Sequence, residues 1–267
     1  MTSRLWTPPR GEVTARPDGA LIHIARGRRV EDIIRLGPNE VHAFITRRDG
    51  TIEDLGVSLN LLTNAGRDLW AAGLGHAAGA SGVATGSSAT SLTDSGASWT
   101  TNQWKGWRVY CPVTSVGTAP VYGNIGSNTG TVLTIDQWWT AADGTGTTPA
   151  STNGYLVLAN NTARFMALTT DSAAASASDT TLASEITTGG AARALATYAH
   201  TAGTNTYTLQ KAYSITSTFT NIHKMGLFTA STSTAAGILV FETVLNQDAI
   251  VGNGDTLTVT ETVTLSG

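Results

Sequence analysis

The clearest pattern in this chain lies toward its C-terminus, where short runs of apolar and polar residues recur between Gly, Asn and Ser turns. Thr206-Tyr207-Thr208-Leu209, Ala212-Tyr213-Ser214-Ile215-Thr216, Gly237-Ile238-Leu239-Val240-Phe241 and the stretch from Thr256 to Leu265 each read as strands. Their even spacing predicts an antiparallel β-sandwich or jelly-roll-like domain over residues 161–267. In the last run Leu257, Val259, Glu261, Val263 and Leu265 share one face, and Thr256, Thr258, Thr260, Thr262 and Thr264 the other. A carboxylate therefore sits on the apolar stripe. Three readings compete: a bulge that turns Glu261 outward, a buried Glu261 paired with Arg or Lys, or an inward charge that blunts an edge strand. The low-complexity piece 171–181 reads as a loop that orders on assembly.

Nearer the N-terminus a Pro-rich arm precedes short apolar patches set between charges, among them Ala20-Leu21-Ile22-His23-Ile24 and Val41-His42-Ala43-Phe44-Ile45. Arg48-Asp49-Gly50-Thr51 separates Phe44-Ile45 from Ile52, and Asp-Gly between apolar runs predicts a hairpin because both residues tolerate positive φ. The one helical signal follows, over about 63–74: Thr63 or Asn64 can cap its start, Ala65, Leu69 and Ala72 keep helical spacing, and Gly75 can end it. Residues 77–86 are Gly-, Ala- and Ser-rich and read as a linker or loop. The next unit holds five of the seven tryptophans, Trp99, Trp104, Trp107, Trp138 and Trp139, and a weak echo in which 86–93 and 126–134 each enter a Thr-rich strand through a polar turn. The expectation is a mainly β protein in three parts. These are a small N-terminal docking unit of hairpin plus helix (1–76), a small Trp-rich β module (83–160) and the C-terminal antiparallel β-sandwich (161–267).

Composition narrows the function. Only 13% of residues are charged against 41% hydrophobic, too apolar a balance for a disordered chain. The net charge of -3 offers no field for nucleic acid or an anionic membrane. The charge is unevenly spread, with residues 1–68 carrying 10 of the 16 Lys+Arg and 9 of the 19 Asp+Glu. The lone Cys111 excludes an internal disulfide and reads as a buried small hydrophobe. No signal-like or membrane-length apolar run occurs, so synthesis and assembly in a cytoplasm are expected.

Catalytic chemistry is hard to find. His23, His42, His76, His200 and His223 are scattered singly, no phosphate-binding glycine loop occurs, and Gly-x-Ser-x-Gly is absent. Asp94, Asp136 and Asp143 near the tryptophans are the one set that could serve glycoside hydrolysis. Trp104, Trp138 and Trp139 could stack on a glycan, against the alternative that they anchor a small core. Arg26, Arg28, Arg29 and Arg35 form the densest basic patch, which reads as a solvated face, a surface that docks on acidic protein, or a contact to nucleic acid, with Trp6 as a further docking residue.

Three segments carry a resemblance. Leu59-Asn60-Leu61-Leu62-Thr63-Asn64-Ala65-Gly66-Arg67-Asp68-Leu69-Trp70-Ala71-Ala72, the tract Leu92-Thr93-Asp94 with Trp99 to Trp107, and the pair Arg164-Phe165-Met166-Ala167-Leu168-Thr169-Thr170 and His223-Lys224-Met225-Gly226-Leu227-Phe228-Thr229-Ala230 resemble virion proteins of tailed bacteriophages. The likeness is to accessory head and minor tail proteins of phages with actinobacterial hosts. It implies a non-enzymatic structural protein of the virion with no cofactor, metal or catalytic residues. Its implied partners are the major capsid protein or tail proteins, together with copies of itself, a trimer among the arrangements considered, and no nucleic acid or membrane. The absence of a long repetitive shaft favours a decoration or cement protein on the capsid exterior, assembled in the host cytoplasm. A minor tail or receptor-binding protein that recognises host-surface glycan is the alternative.

Overall fold

The computed structural model describes residues 11–15, 21–25, 35–36, 39–74, 79–112, 120–140, 144–159, 163–231 and 237–266. The protein is mainly β, as its pattern predicts. Two antiparallel sheets face each other. One has the strand order Thr197–His200, Thr206–Ser214, Thr256–Ser266, Glu40–Thr46, Ile52–Leu59, with Arg35–Leu36 added beside the end of Thr256–Ser266. The other runs Ala194–Leu195, Phe165–Thr169, Phe219–Phe228, Leu239–Val251, Leu61–Leu62. Alternation places Val41, Ile45, Leu209, Tyr213, Leu257 and Val259 of the first sheet against Met166, Leu168, Met225, Leu227 and Phe241 of the second, in one buried core. The Tyr213 hydroxyl crosses that core and donates to the Met166 carbonyl at 2.7 Å.

Residues 40–62, expected in an N-terminal unit apart from the sandwich, are hydrogen-bonded into both of its sheets. Glu40–Thr46 pairs with Thr256–Ser266 from Thr46↔Thr256 to Glu40↔Thr262, and Leu61–Leu62 pairs with Leu239–Val251. A local apolar pattern specifies a strand but not its partner, and these partners lie far along the chain. The predicted hairpin is present: Gly50 takes φ +86° and its N–H donates to Arg47 O at 2.9 Å, while Asp49 Oδ1 accepts from Thr51 N at 2.9 Å. The helix is Asn64–Leu74, capped by Thr63, whose Oγ1 accepts from Gly66 N at 3.0 Å. It buries Leu69 and sets Trp70 edge-on to Phe241 at 5.6 Å.

All eight strands of the third sheet lie between residues 81 and 158, in the order Ser81–Val83, Gly154–Leu158, Arg108–Cys111, Val121–Asn128, Val132–Ile135, Ser91–Thr93, Gly86–Ser88, with Trp139–Thr140 beside Val121–Asn128. Much of the stretch read as a linker is therefore strand, since Ser81–Val83 and Gly86–Ser88 pair within this sheet. Small residues there fit close strand packing as well as they fit a loop. The two echoed segments are both hairpins, joined to one another through Val132–Ile135 and Ser91–Thr93. This module meets the sandwich through Trp139, which packs with Phe165, Phe228 and Leu239. Gly11–Ala15 and Leu21–Ala25 form a two-stranded sheet that pairs with no other described strand. No helix among the described residues is long and apolar enough to cross a membrane.

Candidate functional site

Trp6, Arg26, Arg28, Arg29 and Asp143 lie outside the described residues, as do His76 and Gly75. The other candidates are absorbed by the fold. Trp138 is 1% exposed, Trp104 8% and Trp139 8%. Trp138 Nε1 donates to Ser88 O at 2.8 Å, and Trp139 Nε1 to Asp136 Oδ2 at 3.1 Å. A sugar ring has no access to these faces, which corrects the reading of Trp104, Trp138 and Trp139 as glycan contacts: they are core anchors of the module and its junction. Asp94 accepts from Tyr155 OH at 2.7 Å and from Gly96 N at 2.9 Å. Asp136 accepts from Asn124, Gln137 N, Trp139 and Ser231 N, and so fastens the module to the sandwich. Each carboxylate thus has a structural set of donors. Cys111 is buried, and burial pushes its thiol up to about 12, so it stays protonated.

The polar cluster with chemical potential is elsewhere, between the second sheet and the loop that follows Phe165–Thr169. Lys224 and Glu242 lie on neighbouring strands and are only 2% and 1% exposed. Lys224 Nζ donates to Asp171 Oδ2 at 2.8 Å and to Glu242 at 2.9 Å. Burial acts to lower the Lys224 pKa, but the hydrogen bonds to Asp171 and Glu242 outweigh it and hold the ammonium above its ordinary value. The bond from Lys224, helped by Ala173 N, holds Asp171 low. Glu242 is raised: burial dominates, Lys224 opposes it, and the carboxyl of Asp179 adds to the rise. Glu242 Oε2 has no hydrogen-bond donor.

The covering loop is tied to itself and to the helix by hydrogen bonds. Asp179 N donates to Ser176 O at 2.9 Å, Ser176 N donates back to Asp179 Oδ2 at 3.0 Å, and Asn64 N of the helix donates to Ala177 O at 2.7 Å. Beside it Arg193 and Glu185 form a buried two-pronged pair, with bonds of 2.9 and 2.6 Å, and the guanidinium lies 3.6 Å over the Phe228 ring. Sequence reading passed over Lys224 and Glu242. The available signal was a single charge within each of two long apolar runs, Ile222 to Phe228 and Ile238 to Leu245. Both faces of those strands are covered, which removes the alternation that would have marked the charges as inward.

Of the three readings of Glu261 the structure keeps the burial of one, without its Arg or Lys partner, and neither the bulge nor the edge strand. Its strand is interior to the sheet, with partners on both sides and no bulge at that position, and the side chain is 0% exposed. Among the described residues no cation pairs with it; Asn60 Nδ2 donates to Oε1 at 2.6 Å, and Asn60 Oδ1 in turn accepts from Thr243. Burial pushes Glu261 up to about 8, with Asn60 opposing. Among the described residues no group of three or more His, Cys, Asp and Glu is arranged to hold a metal ion.

The outer face of the first sheet is lined with hydroxyls. Thr256, Thr258, Thr260, Thr262 and Thr264 stand opposite Ser214, Ala212, Gln210, Thr208 and Thr206 on one side, and Thr46, Phe44, His42 and Glu40 flank them on the other. Its edge strand, Ile52–Leu59, exposes Ile52, Val57 and Leu59. His42 on this face is paired with Asp54 at 2.8 Å. Comparison with known proteins gives no matching family model, no matching curated protein and no matching solved structure.

Proposed function

We propose that this chain is a non-enzymatic structural protein of a tailed-bacteriophage virion, an accessory decoration or cement protein on the capsid exterior. The observation that carries this reading is the hydroxyl-lined outer face of the first sheet, bordered by the apolar edge strand Ile52–Leu59. A broad face of Thr and Ser with few uncompensated charges can meet a neighbouring protein over a large area without like-charge repulsion. Many such weak contacts, repeated by symmetry, add up through avidity to resist pressure from within a shell. The charge-dense N-terminal segment, with its self-paired hairpin Gly11–Ala15 and Leu21–Ala25, is the docking arm in this reading, and Trp6, Arg26, Arg28 and Arg29 belong to it.

The test is gold-labelled antibody on intact particles from the source of the chain, paired with a variant lacking residues 1–34. Label spread over the head, and loss of particle binding in the folded truncation, are the expected results. Label confined to the tail, or undiminished binding by the truncation, would overturn the decoration role or the docking arm respectively.

A further inference from the structure

Lys224, Glu242 and Asp171 form an arrangement that exceeds what a structural ion pair needs. One ammonium faces two carboxylates, Asp171 at 2.8 Å and Glu242 at 2.9 Å, and the second of these meets a third carboxyl, Asp179. Glu242, 2.9 Å from the Lys224 nitrogen, is placed to take up and give back a proton there. Ammonium and Glu242 are shut away from water at 2% and 1% exposure, whereas Asp171 is 24% exposed and has a path to solvent.

From this geometry we propose that Lys224 and Asp171 join in an intramolecular isopeptide bond, with Glu242 as the catalytic proton carrier. Lys224 passes a proton to Glu242, and the freed Nζ lone pair attacks Cγ of Asp171, forming the C–N bond. The tetrahedral carbon then breaks its bond to one carboxyl oxygen. That oxygen leaves as water with the two protons that Nζ has given up, delivered through Glu242. An ammonium and a carboxylate become an amide and one water. Charge is conserved, and no oxidant, reductant or activating cofactor is required.

Condensation of a free amine with a free acid is disfavoured in water. Here the fold has already brought the partners into hydrogen-bond contact and dried the nucleophile, which raises the effective concentration by orders of magnitude. The anchoring elements are rigid. Lys224 lies opposite Thr169 in the strand pairing, Asp171 follows two residues after Thr169, and Asp171 N is held by Thr169 Oγ1 at 2.9 Å. The product would tie the end of Phe165–Thr169 to the middle of Phe219–Phe228. This covalent staple is independent of where the protein acts.

The experiment is mass spectrometry of the full chain, denatured after purification, with a tryptic map. The expected intact mass is about 18 Da below that of the linear chain, one water lost. Trypsin should fail to cut after Lys224 and should yield one branched peptide that joins residues 165–193 to 212–267. Lys224→Arg and Glu242→Gln should both return the unbranched mass. Full linear mass in the wild-type protein would overturn the proposal whether or not any variant folds. So would a deficit of the same size without the branched peptide, or one that persists in Lys224→Arg, since either would mark dehydration at Asp171 alone. A cross-link that persists in Glu242→Gln would overturn the role given to Glu242.

Discussion

Glu261 shows how one residue can work against the fold that contains it. In an unfolded chain its carboxyl titrates near its ordinary value of 4.5, whereas burial pushes it up to about 8 in the folded protein. Between those values the folded state holds a proton that the unfolded state has released. Its contribution is therefore fully present below about pH 4.5, falls as pH rises toward about 8, and is level beyond. Glu261→Gln keeps the shape and one acceptor for Asn60 and removes the titration. Urea unfolding from pH 5 to 9 should show the variant gaining on the wild type with rising pH, by on the order of 3 kcal/mol at the alkaline end. Taking the difference between the two proteins removes the opposite slope from carboxylates held low, such as Asp171 and Asp255. A constant difference across the range would refute the burial argument. Trp138 makes a simpler case at the same scale: as a fully enclosed anchor donating to Ser88, its change to Ala should cost about 3–5 kcal/mol of stability, read by thermal unfolding.

At the scale of the element, what could be read from the sequence is what local chemistry decides. Asp49-Gly50 encodes its hairpin and Thr63 its helix cap, because every group involved lies within a few residues. The Thr/apolar alternation of 256–265 encodes a strand with one inward face, which holds for Leu257, Val259, Glu261 and Val263, while Leu265 at the strand's end is exposed and Thr258 on the other face is buried. The environment of Glu261 was illegible because its partner Asn60 lies 201 residues away, and that of Lys224 because Asp171 is 53 residues away on a loop. The helix adds a case that no propensity would reveal. A Cβ at Gly66 would stand 2.5 Å from Val240 O, so glycine lets the helix sit directly on Leu239–Val251. Alanine there is the better helix former, yet Gly66→Ala should destabilise the protein by about 1–3 kcal/mol through overpacking. Thr63→Ala should cost about 1 kcal/mol or more, because its hydroxyl both caps the helix and donates to Leu239 O at 2.5 Å. Chemical denaturation of the two variants measures both.

The whole molecule is organised by the pairing of residues 40–62 with strands from the last third of the chain into one sandwich. Thr256–Ser266 would be an edge strand without Glu40–Thr46, and its buried face, with Leu257 and Val259, would lose Val41, Ala43 and Ile45 beside it. This arrangement dictates how the proposed docking arm must be tested. Removing residues 1–75 would take out three strands of the first sheet, one of the second and the helix, so loss of particle binding by such a fragment would report unfolding rather than docking. Removing residues 1–34 cuts ahead of Arg35–Leu36 and leaves every strand of the sandwich in place. The shorter deletion should keep the strand-type circular dichroism and cooperative unfolding of the full chain, while the longer one should lose both. Equal cooperativity in the two fragments would mean that the sandwich closes without Glu40–Thr46, contrary to the pairing that holds its last strand.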